Sequence, residues 1–188
     1  MRKRELLVKY KKLISFIVKL SKILPKGFYK RILKLTRNWD SLMAIFIRYI
    51  CLKNICKSCG ENVAIFSGVY ILNAENLEIG NNVSIHPMCY IDAAGGIKIG
   101  DDVSIAHSTT IMSTEHIYSD ININIKDQGC RSIPTIIEDN VWIGAASRIL
   151  AGTIIRRGSI IAAGAVVKNE VKEFSIVGGV PAKLLKER

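Results

Sequence analysis

The sequence predicts a mainly β protein whose chain winds as a parallel β-helix, and three observations predict it. An aliphatic residue recurs every six positions, a small or β-branched residue follows most of these anchors four positions later, and the pattern breaks once for a long excursion. Ile79, Ile85 and Ile91 share one phase. After a two-residue slip through Gly95 and Gly96 come Ile99, Ile105 and Ile111. Beyond the excursion, residues 112–135, follow Ile137, Ile143, Ile149, Ile155, Ile161 and Val167. The intervening small positions include Val83, Cys89, Thr109, Ser147, Thr153, Ser159 and Ala165. A period of six fits neither an amphipathic helix nor an alternating strand. It fits a chain that lays down a flat face, turns a corner and repeats. Three faces make a triangular coil of about eighteen residues with its anchors stacked inside. The small residues suit the corners, and no coil can bury its anchors alone.

The N-terminal part has another texture. Residues 1–60 read as a basic α-helical segment ahead of the β-helix, 61–188, with a tail at about 173–188. Leu6, Leu7, Tyr10, Leu13, Ile14, Ile17, Val18, Leu20 and Leu24 recur at helical spacing among lysines. Pro25-Lys-Gly27 breaks that helix; a shorter basic one is expected around Phe28–Arg37, and a third over Leu42–Leu52, capped by Asp40 or Ser41. The chain's net charge of +11 is concentrated here: residues 1–39 hold thirteen Lys or Arg against Glu5, while the remainder is nearly neutral. That distribution argues against a nucleic-acid-binding main domain. Five cysteines, an odd number, without a compact signal-peptide pattern point to a cytoplasmic protein with reduced thiols. No stretch is long and apolar enough to predict a spanning helix. Cys51, Cys56 and Cys59 lack a fourth ligand and read as packing thiols, so no metal is expected.

Several segments carry a family likeness: Ile99-Gly-Asp-Asp-Val-Ser-Ile105, Thr110-Ile-Met-Ser-Thr-Glu-His116, Asn140-Val-Trp-Ile-Gly-Ala145 and Gly178-Gly-Val-Pro-Ala-Lys183. Over residues 61–188 the chain resembles the hexapeptide-repeat acyltransferases, which fold as left-handed parallel β-helices. Within them it is most similar to maltose and galactoside acetyltransferases and to the O-acetyltransferases of surface-polysaccharide pathways. The resemblance implies acetyl-CoA as co-substrate, a sugar or glycan acceptor, and a homotrimer with sites in grooves between subunits. Serine acetyltransferase shares the repeats but carries a larger helical N-terminal domain. The γ-class carbonic anhydrase needs three zinc-binding histidines, two of them close in sequence, whereas His86, His107 and His116 are spread out.

Acyl transfer to an alcohol needs a base, an oxyanion donor and a groove for the pantetheine arm. His116, where the period breaks, matches the family's general base, with Asp92 and Glu115 as candidate orienting groups. His86 falls at a substrate-contacting Asn of the sugar acetyltransferases. The family's acceptor-binding Asp falls at Ala94, and this chain offers Asp92 nearby. His107, at a corner, reads as structural. The resemblance places Trp142, Gly144, Ala145 and Ala163 along the coenzyme groove, with the Ala145 amide toward the thioester oxygen. Lys168-Asn169 replaces a Thr-Lys pair of the family, and Lys183 and Lys186 match its C-terminal basic positions, where they meet coenzyme phosphates or are simply solvated. Arg156-Arg157 reads as a solvated turn. Two other functions are N-acetylation of an amino sugar and a non-catalytic trimeric scaffold on a membrane. Residues 1–39 are expected either to lie on an anionic membrane, at its inner face, or to pack as a cap on the β-helix.

Overall fold

The structure, a computed structural model, describes residues 16–18 and 20–188. Most of the first expected helix therefore lies outside the described residues. Three parallel sheets form the faces of a β-helix. The first face stacks Ser58–Cys59, Leu77–Ile79, Ile97–Ile99, Thr135–Ile137 and Ile154–Ile155. The second stacks Ala64–Ile65, Ser84–Ile85, Ser104–Ile105, Trp142–Ile143, Ile160–Ile161 and Ser175–Gly178, and Lys183–Glu187 folds back antiparallel on its edge. The third stacks Tyr70–Leu72, Tyr90–Asp92, Thr110–Met112, Arg148–Ile149 and Val166–Val167.

The anchors form internal ladders. Ile65, Ile85, Ile105, Ile143, Ile161 and Val177 follow one another behind the second face, and all are buried. Corner hydroxyls satisfy themselves on backbone: Ser147 donates to the Gly144 carbonyl at 2.8 Å and Ser159 to that of Lys172 at 2.7 Å. Between the first and second faces the chain turns through left-handed backbone at Asn62, Asn82, Asp102 and Asn140, with φ of 56° to 57°. Asn and Asp tolerate this region better than other residues with a Cβ.

The step between coils is not uniformly eighteen residues. Ser58 pairs with Glu78 and Glu78 with Lys98, a step of 20, whereas Ile136 pairs with Ile154, a step of 18. The extra residues sit at the third corner, in the 3-10 turn Ala74–Asn76 and in the turn that Gly96 closes onto Ala93. The slip at Gly95-Gly96 is this longer corner. The excursion lies between Met112 and Thr135, where Lys98 pairs directly with Ile136 beneath it.

Among the described residues, the helices α1, Lys26–Leu35, and α2, Leu42–Ile55, close the N-terminal end. Ser41 supplies the cap of α2, its hydroxyl accepting from the Ala44 amide at 3.1 Å. Leu52 of α2 joins the core cluster of Val63, Ile65 and Leu77. Arg48, 1% exposed, donates from Nε to the Ile65 carbonyl at 3.0 Å and from Nη1 to that of Trp39 at 3.0 Å. An always-charged guanidinium buried on carbonyls thus ties α2 to the first coil and to the link before it. Cys51 packs inside α2's interface, and burial pushes its thiol to about 11 and that of Cys59 to about 12.

Candidate active site

His116 stands on a two-stranded antiparallel ribbon that leaves the third face. Thr114–His116 pairs with Cys130–Ser132, putting Thr114 opposite Ser132, Glu115 opposite Arg131 and His116 opposite Cys130. The Ile117 amide donates to the Gly129 carbonyl at 3.0 Å and closes the neck. Gln128 then pins the loop, donating to the carbonyls of Asp120 and Ile123, both at 2.8 Å. His116 is exposed on this braced support.

The two carboxylates expected near it are engaged elsewhere. Glu115 accepts from Arg131 Nε at 2.5 Å. Asp92 accepts from Asn73 Nδ2 at 2.8 Å and from the Ala94 amide at 3.1 Å. The side chain at His116 Nδ1 is Cys130, with Sγ 3.5 Å away. Sequence reasoning missed this residue, because a cross-strand partner depends on the register of a non-repeating ribbon.

His86 is half-buried on the second face's far corner and stacks on Phe66 with centroids 4.9 Å apart and planes at 21°. Its pKa is held below the ordinary imidazole value by desolvation first and by the neighbouring His107 second. A neutral imidazole there can donate and accept, as recognition of a hydroxyl requires. Extending the second face's register two residues beyond its last pairs puts Pro87, His107, Ala145 and Ala163 in one corner column. His107 is exposed, one coil before Ala145.

The amides along this corner alternate. Gly144 donates to Ile161 and Ala146 to His107, at 2.8 and 2.9 Å, while Ala145 between them donates to no carbonyl among the described residues. The next coil repeats this: Ala162 and Gly164 donate inward, at 2.8 Å each, and Ala163 does not. These outward N–H groups are available to a ligand oxygen. Gly144 itself is buried, and a Cβ there would meet the Ala163 nitrogen at 2.6 Å. Its smallness serves the stacking of coils.

Trp142 projects from the second face and is 53% exposed. The outward column runs Ser104, Trp142, Ile160, Ile176 and Lys186 by direct register. Trp142 and Lys186 thus share one face, three strand spacings apart, or about 14 Å. Lys168 and Lys183 line a cavity of about 510 Å³ at the C-terminal end of the β-helix, which Lys186 does not line. No hydrogen bond or ring contact among the described residues joins His116 to Trp142. Arg156 is tied to Glu138 and Glu170, at 2.9 and 2.6 Å, rather than simply solvated. Its neighbour Arg157 covers the Phe174 ring at 5.3 Å.

Residues 134–169 match the family model described as bacterial transferase hexapeptide (six repeats). A probable acetyltransferase of Mycobacterium tuberculosis is 40% identical over 78 residues, covering 42% of this chain and 26% of that protein. The chain spans about a quarter of the length of the curated relatives it matches. Among solved structures, a hexapeptide-repeat acetyltransferase of Vibrio cholerae complexed with acetyl-coenzyme A is similar, with a TM-score of 0.76 and 25% identity over 86% of each chain. A galactoside acetyltransferase in complex with coenzyme A gives a TM-score of 0.75 and 26% identity, covering 86% of this chain and 80% of that one. The chain thus carries hexapeptide repeats matched in sequence over residues 134–169 and shares its β-helix over most of its length with these acetyltransferases.

Proposed function

We propose that this chain transfers an acetyl group from acetyl-coenzyme A to a hydroxyl of a sugar or glycan, with His116 as general base. The observation that carries this reading is the exposed imidazole on a braced ribbon beside a β-helix like those of acetyltransferases solved with this coenzyme. His116 takes the proton of the acceptor hydroxyl as its oxygen attacks the thioester carbonyl. The outward Ala145 amide is placed to receive the tetrahedral oxyanion. Collapse of that intermediate releases the coenzyme thiol and leaves an acetyl ester. Trp142 lies along the pantetheine arm, with Gly144 and Ala163 at the groove floor, and Lys168, Lys183 and Lys186 meet the coenzyme phosphates. His86 and Asp92 face the acceptor.

Because His116 and Trp142 do not meet within one chain, a homotrimer fits, the base of one subunit serving the coenzyme groove of the next. The acceptor belongs to glycan assembly at the inner face of a membrane, where the basic N-terminal segment would hold the enzyme. The test is release of free thiol from acetyl-coenzyme A across a panel of sugars, amino sugars and lipid-linked glycans, with products read by mass. Thiol release and a product deacetylated by mild alkali are expected, since an ester is cleaved and an amide survives. An alkali-stable product would assign N-acetylation, and no turnover with any acceptor would leave a scaffold.

A further inference from the structure

We propose that Cys130 is the positioning residue of His116, its sulfur accepting the Nδ1 proton and so leaving the imidazole lone pair on Nε2. The inference rests on His116 as base and assigns which of its nitrogens acts. A neutral imidazole carries one proton, and the group bonded to one nitrogen decides what the other can do. If Nδ1 donates to Cys130, Nε2 is free to take the acceptor's proton. The resulting imidazolium keeps its Nδ1–H on sulfur throughout, so no rearrangement accompanies the transfer.

Five observations support this. Sγ lies 3.5 Å from Nδ1. The two residues are direct cross-strand partners, which fixes their side chains on one side of the ribbon. The neck bond from Ile117 to Gly129 and the Gln128 contacts hold that register from the loop side. Glu115 and Asp92, the carboxylates that would otherwise serve, are taken by Arg131 and by Asn73 with the Ala94 amide. Of the five cysteines, Cys130 is the exposed one; Cys51 and Cys89 are buried, and Cys56 and Cys59 are half-buried at the core's edge. Its place outside the core has no packing explanation.

The full-length protein with Cys130→Ala, Cys130→Ser and Cys130→Asp decides the matter by two readouts. The first is the nitrogen resonances of the His116 ring, which report its tautomer without turnover. The second is kcat, KM and the pH profile of acetyl transfer. Cys130→Ala should shift the ring resonances toward a tautomer mixture and lower kcat about tenfold at unchanged KM for acetyl-coenzyme A. Cys130→Ser, which keeps an acceptor, should restore both. Cys130→Asp should move the acid limb of kcat/KM to higher pH, because a carboxylate favours the imidazolium. Unchanged ring resonances in Cys130→Ala overturn the contact whatever the activity. Shifted resonances with wild-type kcat and pH profile overturn its role in positioning. If the resonances shift but His116→Gln turns over normally, the assignment of the base has failed, and the positioning role with it.

Discussion

At the scale of single residues, a candidate on the β-helix is set by where the six-residue repeat puts it, and one on the ribbon by where the repeat fails. Trp142 occupies an outward position of the second face because Ile143 beside it points in, so the ring stays 53% exposed although it sits amid the β-helix. An exposed indole offers a flat apolar surface, along which the pantetheine arm is proposed to lie. Trp142→Ala should weaken coenzyme A binding about tenfold, near 1.4 kcal/mol, with kcat changed little, and titration calorimetry reads it. Unchanged affinity would assign the ring to surface packing. Gly144 was legible as a family position, but its necessity is steric: the Ala163 nitrogen stands 2.6 Å from where a Cβ would be. The place of His116 at the start of the excursion was legible because the period fails there. Cys130 was not, since nothing in the repeat fixes which residue returns opposite His116 once the loop has closed at Gly129.

At the scale of elements, α1 and α2 differ in what they leave exposed. α2 is a cap: Arg48 and Leu52 bind it to the first coils, and its polar and apolar contacts both point inward. α1 packs Tyr29 and Leu33 against α2, yet Phe28 and Leu35, seven residues apart and hence on one stripe, are 44% and 69% exposed. Arg31 lies between them on the same stripe, and Lys34 lies to one side of it. No helix among the described residues is long and apolar enough to cross a membrane. Such a stripe suits an anionic bilayer interface, where each nearby base contributes about 1 kcal/mol. Phe28→Ser combined with Leu35→Ser should cut sedimentation with phosphatidylglycerol vesicles several-fold, leave the oligomer's mass unchanged, and not affect the weak binding to phosphatidylcholine. A change in oligomeric mass instead would place the stripe between subunits. From sequence the two alternatives for residues 1–39 stayed open, because helical spacing reveals that a face is apolar and not what lies against it.

At the scale of the whole molecule, the β-helix was readable because every coil repeats the same physical problem, an aliphatic anchor to bury and a corner to turn. Where the repeat held, the register followed, as with Ile143 over Ile105 and under Ile161. Where corners lengthen, at Ala74–Asn76 and Ala93–Gly96, the step grows to 20 and the period slips, though the stack continues. The ribbon and its loop have no period, so only their existence was legible. The proposed site spans two such environments: a rigid face carrying Trp142 and the outward Ala145 amide, and a projecting ribbon carrying His116. No hydrogen bond or ring contact among the described residues joins them, so the proposed chemistry calls on a neighbouring subunit. The most direct test of this account is thiol release from acetyl-coenzyme A by His116→Gln beside the wild-type protein, with the productive acceptor present and coenzyme affinity measured in parallel. The account predicts turnover lowered roughly 10²- to 10⁴-fold with coenzyme binding retained; turnover near the wild-type rate in the folded variant would contradict it.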